Sequence, residues 1–380
     1  MKILTAIDSF KGSFTSDEAN NIIKEVFTDD KTTVETIAIA DGGEGTLAAF
    51  TQNLQGEILE ETVCNLVGHP VQGKIGWLAE KQTAIIEVAE AVGIGFLSNE
   101  DTTPWDTNSY GIGEMIRLAL DKGAKTILIG LGGTGTIDGG IGLAGCLGVI
   151  FFDSDGKELS PYPKNFEKIA SFDTNRVDKR LFGTDIILLA DVTSRLLGNS
   201  GAVYLFGEQK GLSREEMPIY EKALAHFAGK IAPNQNFVEG DGAAGGIGFM
   251  LRKVFQGKFV KGFDYLAQQL DLKMKIAAVD LVITGEGRLD EQSLKGKVPI
   301  GIAKMAQQAG VPCIVFTGQS QVPKEKYIPV GISAVVPIVD AVMTLEEAIC
   351  TGKTNLARVA QRTKLLLDLS LDDSRKETVV

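Results

Sequence analysis

The sequence predicts a two-domain α/β protein in which both chain ends build one doubly wound parallel sheet around an inserted mixed-sheet α/β domain. Three observations predict it. Strand-like and helix-like apolar periods alternate at the N-terminus and again in the last third of the chain. After residue 56 the texture changes to consecutive strand-like runs joined by Gly-rich turns. The length, 380 residues, is too great for one ordinary core and too small for three.

The elements follow in order. Lys2 to Ile7 is short and apolar and reads as a strand; Ala19, Ile22, Ile23, Val26 and Phe27 then recur at helical spacing. Thr15-x-x-Glu18 is a capping box at that helix start. Val34 to Ala40 alternates like a strand, and Leu47 to Leu54 reads as a second helix after Asp41-Gly42-Gly43-Glu44-Gly45-Thr46. Glu57 to Leu66, Val71 to Leu78 and Thr83 to Val88 read as antiparallel strands. Helix Ile112 to Leu120, strand Thr126 to Ile129, helix Gly142 to Leu147 and strand Ile186 to Ala190 come next. Near the end, Val279 to Thr284, Cys313 to Thr317 and Ala334 to Ile338 read as strands, Ile300 to Gln308 as a helix, and Leu345 to Leu369 as mostly helical. The expected domains are 1–56 with 276–380, and the insertion 57–275. The last ten residues read as a solvated tail.

Composition narrows the function classes. A formal net charge of −11 argues against a nucleic-acid or anionic-membrane surface. No apolar run reaches the roughly 20 residues of a membrane span, and the N-terminus has no signal-peptide pattern, so a cytoplasmic protein is expected. The four cysteines form no Cys-x-x-Cys pair and are expected as reduced, buried thiols. Two histidines, His69 and His226, lie outside any apparent motif, which argues against a His-based triad or multi-His metal site. Glycine is the outlier, at 44 residues against a usual share of roughly 7%.

That excess concentrates in five turns placed after strands. They are Asp8-Ser9-Phe10-Lys11-Gly12-Ser13, Asp41 to Thr46, Gly132-Gly133-Thr134-Gly135-Thr136-Ile137-Asp138-Gly139-Gly140, Asp191-Val192-Thr193-Ser194, and Gly285-Glu286-Gly287-Arg288-Leu289-Asp290. Ligands of open α/β sheets sit at such strand ends. Glycine lets backbone N–H groups approach phosphate oxygens, and a helix N-terminus adds a favourable dipole. Carboxylates hold Mg²⁺ or accept a hydroxyl proton, while Lys11, Arg288 or Lys297 offsets transferred charge. Each Asp-Gly or Gly-Gly step is, taken alone, also an ordinary tight turn.

Other patterns weigh less. Gly130-x-Gly132-x-x-Gly135 matches a dinucleotide fingerprint, but the turn runs on through Asp138-Gly139-Gly140 before the helix starts. Gly352-Lys353-Thr354 resembles the end of a Walker A loop, yet Glu347 stands where its first glycine belongs. His226 sits among Ala223, Leu224, Ala225 and Phe227 in a helical apolar setting, which favours packing. Gly240 to Gly248 either packs helices closely or lets a ligand reach the backbone.

In this order, the turns resemble the type 1 glycerate kinase family from Lys2 to about residue 368. Tyr110-Gly111-x-Gly113-Glu114, Phe206-Gly207-x-Gln209-Lys210-Gly211 and Ala243-Ala244-Gly245-Gly246 extend the resemblance. It implies a flavodoxin/Rossmann-like domain from both chain ends with an inserted α/β domain, and ATP- and Mg²⁺-dependent phosphorylation of D-glycerate at an interdomain cleft, with 2-phosphoglycerate the expected product and 3-phosphoglycerate the alternative. For such a reaction the candidate catalytic groups among the turn residues are Asp191, with Asp8, Asp41 and Lys11 behind it; Asp41 and Asp191 are the metal candidates. Arg288, Lys297, Ser9 and Asp290 are expected at the substrate. Gly42, Gly43, Glu44, Gly132, Gly133, Thr134, Asp138, Gly139 and Glu286 are expected at the nucleotide phosphates. A monomer or homodimer is expected.

The chain departs from the family pattern at Ile7, at Thr134-Gly135-Thr136-Ile137, at Ser194-Arg195, at Asp241 and in the loop Ser98 to Ser109. Ile137 in place of an amide-bearing residue removes a hydrogen-bonding group expected next to the site. A nicotinamide-dependent dehydrogenase and a non-catalytic sugar-acid-binding protein are the competing readings.

Overall fold

The strand Lys2–Ile7 is buried at five of its six positions, as a central strand of a parallel sheet must be when both faces are covered. It pairs in parallel with Leu281–Leu289 on one side and Thr33–Thr36 on the other. Cys313–Ser320 and Ala334–Pro337 complete a five-stranded sheet whose order, counted along the chain, is 2-1-3-4-5, the flavodoxin-like order. Ile3, Ile7, Ile283 and Phe316 pack in one cluster with Ala19, Ile23 and Phe27 of the helix Ser16–Phe27 and with Leu356, Val359 and Ala360 of the helix Gly352–Ser374. The capping box forms: Thr15 Oγ1 accepts the Glu18 N–H, and the Glu18 carboxylate accepts the Thr15 N–H. The computed structural model describes residues 1–99, 102–190, 194–234, 236–291 and 293–374.

Contacts divide the chain into one unit of Met1–Ala40 with Phe263–Val380 and a second of Asp41–Gly262. Both divisions differ from the boundaries expected at 56/57 and 275/276. The helix Thr46–Asn53 packs on the strands Pro70–Leu78 and Thr83–Glu87, so it belongs to the second unit. The helix Leu272–Ala277 packs on Val298–Ala309, which moves the return upstream to residue 263.

The second unit is built on a six-stranded sheet in the order Lys258–Val260, Asp185–Leu189, Thr126–Gly130, Thr83–Glu87, Pro70–Leu78, Glu57–Cys64. The first four are mutually parallel, and the last two add antiparallel. Thr83–Glu87 therefore joins a parallel set and an antiparallel one. Lys258–Val260 and a small sheet of Ile150–Phe152, Glu158–Leu159 and Ser171–Asp173 were not foreseen, because two or three residues display no readable period.

Other expectations change in detail. The strand expected over Val34 to Ala40 ends at Thr36, since the Ile37 carbonyl accepts from the Asn20 side chain and the Ile39 N–H donates to Ser16 Oγ. Gly240 to Gly248 serves close packing: a Cβ on Gly245 would lie 2.0 Å from the Thr136 carbonyl oxygen. Asp241 within it is fully buried and held by Arg252 Nε at 2.7 Å and Nη2 at 2.6 Å. Residues up to Ser374 continue the last helix, so the expected tail is helical at its start. Cys146 and Cys313 are buried as expected, but Cys64 is half-buried and Cys350 exposed. Among the described residues no helix is long and apolar enough to cross a membrane.

Candidate active site

In the second unit, the Asp41–Thr46 turn lies against the C-terminal ends of the central parallel strands. A Cβ on Gly42, whose φ is +101°, would meet the Leu189 carbonyl carbon at 3.0 Å; one on Gly132 would meet Gly43 Cα at 2.6 Å. Only glycine fits this backbone-to-backbone approach. Asp41, Gly42, Gly43, Glu44, Gly132 and Gly133 are thereby brought together. Asp41 Oδ1 accepts the Gly43 N–H at 3.0 Å, and Thr46 donates from Oγ1 to the Gly43 carbonyl at 2.7 Å.

The helix Thr46–Asn53 starts from Gly45, which has no side chain to cap it. Glu87, at the end of Thr83–Glu87, does so from a distance, accepting the Leu47 N–H at 2.6 Å. Burial pushes the Glu87 carboxyl up to about 7; the Leu47 N–H opposes the shift, and the charges of Glu90 and Glu44 add to it. A carboxylate thus already occupies the anion position at this helix N-terminus.

From Thr134 onward, the Gly132–Gly140 turn is buried. The Thr134 hydroxyl lies 3.2 Å from the Val92 carbonyl, and the Gly139 N–H donates to Gly245. Asp138 accepts from the Ser109 N–H and hydroxyl, the Gly140 N–H and the Gly142 N–H. Burial raises its carboxyl against those four donors. Thr134, Asp138 and Gly139 therefore spend their polar groups on the chain itself, which differs from the phosphate contacts expected of them; Gly132 and Gly133 are the accessible part of the turn. Lys210 is buried beside it, donating from Nζ to the Thr136 carbonyl at 2.9 Å; burial drives its ammonium down to about 7 against the charge of Asp138. The Ile137 side chain is fully buried in the apolar core, and its carbonyl accepts from the Tyr220 hydroxyl at 2.9 Å. The departure from an amide at this position is met by packing. Gly130-x-Gly132-x-x-Gly135 opens no helix until Ile141, which removes the geometry of a dinucleotide fingerprint.

Asp191, Val192 and Thr193 lie outside the described residues.

In the first unit, the expected Gly285–Asp290 turn is instead the end of a nine-residue strand, because pairing with Cys313–Ser320 continues to Leu289. Gly285 and Gly318 permit it: a Cβ on Gly285 would sit 2.3 Å from the Phe316 oxygen. Beside this strand end runs the Asp8–Ser13 segment. The Asp8 N–H donates to the Gly285 carbonyl at 2.9 Å, the Ser9 N–H donates to Asp8 Oδ1 at 2.7 Å, and the position of a Gly287 Cβ is 3.8 Å from Lys11 N.

Glu286 is only 6% exposed, and its Oε1 has no hydrogen-bond partner among the described residues. Burial raises its carboxyl, while the Ser293 hydroxyl and the charges of Lys297 and Lys11 pull it back; Asp290 pushes it up. Arg288 is exposed, with Nε 3.5 Å from Asp290 Oδ2. The Ser293 N–H donates to Asp290 Oδ1 at 3.1 Å. Lys297 is the N-cap residue of the twelve-residue helix Val298–Ala309, where the helix dipole favours an anion. Asp8, Ser9, Lys11, Glu286, Arg288 and Asp290 are thus gathered where the inner strands Lys2–Ile7 and Leu281–Leu289 end, and the charge of Lys297 acts on Glu286 there.

Sequence reasoning did not single out Glu87, Ser109, Lys210 or Ser293. Glu87 carried a signal, as the lone carboxylate in the apolar run Thr83 to Val88. Lys210 stood in a noted motif without a role, and Ser109 and Ser293 carried none. His226, expected to pack, places Nε2 2.9 Å from the Ile169 carbonyl.

Residues 3–368 match the model of the glycerate kinase family. A glycerate kinase of Bacillus subtilis strain 168 is 35% identical over 367 residues, covering 95% of this chain and 96% of the relative. A glycerate 2-kinase of Escherichia coli strain K12 is 34% identical, covering 98% of this chain and 99% of the relative. A crystal structure from Salmonella typhimurium LT2 that carries the description glycerate kinase 2 superposes with a TM-score of 0.85 at 34% identity, covering 98% of this chain and 99% of that one.

Proposed function

The chain belongs to the glycerate kinase family, and from that premise we propose that it transfers the γ-phosphoryl group of ATP to D-glycerate, giving 2-phosphoglycerate. The observation that carries this reading is the extent of the match: residues 3–368 include both units and every candidate group named above.

The second unit offers what a polyphosphate needs. Gly42, Gly43, Gly132 and Gly133 bring backbone close to a ligand without side-chain hindrance. Thr134, Asp138, Gly139 and Lys210 act indirectly, fixing the turn that presents Gly132 and Gly133. Among the described residues no three acidic, Cys or His side chains gather to hold a metal by themselves. Mg²⁺ arriving with the nucleotide needs only one or two protein carboxylates, for which Asp41 and Asp191 are the candidates. When bound, Mg²⁺ neutralises charge on the β- and γ-phosphates.

The first unit offers what a small hydroxy acid needs. Lys297 and Lys11 supply positive charge, Arg288 a guanidinium, Ser9 a hydroxyl, and Glu286 and Asp290 acceptors. We place the enzyme in the cytoplasm as a monomer or homodimer.

The test is a coupled assay with D-glycerate, ATP and Mg²⁺, followed by phosphorus NMR of the product. ADP release that depends on D-glycerate, with the phosphate on the 2-hydroxyl, is expected. A folded protein without turnover overturns the reading; a 3-phosphate product overturns the regiochemistry alone.

A further inference from the structure

We propose that Glu286 Oε1 is the acceptor for the reacting hydroxyl of the hydroxy acid, with Lys11 and Lys297 facing that acid's carboxylate. This rests on the kinase reading above and assigns the proton-accepting role to a residue that the sequence pattern had placed at the phosphates.

A carboxylate oxygen removed from water and left without a donor costs about 1–3 kcal/mol, more when charged, so such an atom calls for an explanation. Glu286 Oε1 is one of these atoms, on a residue 6% exposed. A phosphate cannot satisfy it, since both groups are negative acceptors at neutral pH. A hydroxyl, an N–H group or a cation can. The Lys297 and Lys11 charges already act on this carboxylate, and they disfavour an added divalent cation. They favour an organic anion, and one bearing a hydroxyl satisfies Oε1 as well. A 2-hydroxy acid carries both groups on adjacent carbons.

The surroundings suit a base. Ser9 and Lys11 come from the segment following Lys2–Ile7, which lies beside Gly287, and Lys297 opens the helix Val298–Ala309. Burial and Asp290 raise the Glu286 carboxyl, which strengthens it as a proton acceptor, while Lys297, Lys11 and the Ser293 hydroxyl keep the ionised form accessible. In the step, the hydroxyl proton passes to Oε1 as a lone pair of the hydroxyl oxygen forms the bond to the γ-phosphorus. The bond from that phosphorus to the bridging oxygen breaks, and its electron pair leaves with ADP. Glu286 then returns the proton to solvent. Asp191, Asp8 and Asp41 were the expected bases; among the described residues Glu286 Oε1 and Glu221 Oε2 are the buried carboxylate oxygens without a donor, and of the two Glu286 is the one acted on by Lys11 and Lys297.

Steady-state kinetics of the full chain with D-glycerate, ATP and excess Mg²⁺ test this on Glu286→Gln and Glu286→Asp. Glu286→Gln keeps the shape and removes a buried charge, so its melting temperature should equal or exceed that of the unsubstituted protein. Its kcat should fall by about 10²- to 10⁴-fold with KM for ATP and the half-saturating Mg²⁺ within about twofold. Glu286→Asp, which retains a proton acceptor, should recover part of the loss. A Glu286→Gln kcat within about threefold overturns the proposal and leaves the kinase reading intact, as does a deficit repaired by raising Mg²⁺, which identifies a metal ligand. A Glu286→Asp enzyme no better than Glu286→Gln overturns it too. Absence of D-glycerate turnover by the unsubstituted enzyme removes the kinase reading and this one together.

Discussion

Glu87 Oε1 accepts the amide proton of Leu47 at 2.6 Å, joining the end of one strand to the first turn of a helix 40 residues earlier in the chain. The bond substitutes for the side-chain cap that Gly45 cannot make, and it holds the downstream side of the Asp41–Thr46 turn.

It also gives stability a pH dependence. The Glu87 carboxyl titrates at about 7 in the folded protein against a usual 4.5. The folded state therefore binds the extra proton between those values, and stability falls as pH rises through the window, by an amount on the order of 3 kcal/mol. Glu87→Gln should lack this decline. Melting temperatures of the two proteins at pH 5 and pH 8 check it: the substituted protein should gain on the original as pH rises, and a difference that stays constant contradicts the assignment.

Lys210 carries the opposite sign. Its ammonium titrates at about 7 when folded against 10.5 ordinarily, so the unfolded chain binds more protons in between and stability rises with pH across that window. Lys210→Met, which keeps the buried stem but loses the charge and the bond to the Thr136 carbonyl, should lack that rise. Denaturant unfolding at pH 7 and pH 9.5 reads it; parallel pH slopes for the two proteins would sink the claim. A loss in kcat/KM at constant fold is expected as well, because the Gly132–Gly140 turn loses a support.

Gly132→Ala should damage catalysis more than stability. Its methyl group would lie 2.6 Å from Gly43 Cα, where two backbones meet, and relief requires moving one turn away from the other. Steady-state assays should show kcat/KM down by at least about tenfold, since small misplacements of positioning groups are costly. Gly229→Ala is the control: nothing lies within 4 Å of its added Cβ, and it sits inside the helix Met217–Ile231, so melting should rise by the equivalent of about 1 kcal/mol with activity kept. Equal kinetics for the two variants would remove the turn contact from the mechanism.

Local signals reached far into this fold. Thr15 and Glu18 announced a cap that forms as written, and the apolar runs at both ends announced strands that share one sheet. What escaped depended on partners distant in the chain. Glycines at 285 and 287 read as a turn, but Cys313–Ser320 pairs with Gly285, Glu286, Arg288 and Leu289, and a Cβ on Gly318 would lie 2.5 Å from the Gly287 carbonyl oxygen. The helix Thr46–Asn53 looked like a continuation of the first unit until its apolar side found the strands Pro70–Leu78 and Thr83–Glu87. At the site, turn glycines were legible because backbone geometry restricts those positions to one residue type. Glu87 and Lys210 were not placed, since a buried charged residue shows its meaning only through the groups around it. Thr134, Asp138 and Gly139 were read as ligand contacts because a sequence shows that a polar group exists and not whether the chain has already used it.

The pairing of Lys2–Ile7 with Leu281–Leu289 has a consequence for synthesis on the ribosome. The segment Asp41–Gly262 is continuous and emerges whole, while the N-terminal strand, already made, waits for a neighbour nearly three hundred residues downstream. During that interval one of its edges carries unpaired N–H and C=O groups beside apolar side chains, the kind of edge that invites other chains. Slow translation between residues 262 and 289 prolongs that exposure, and a chain released before Leu281 carries it permanently.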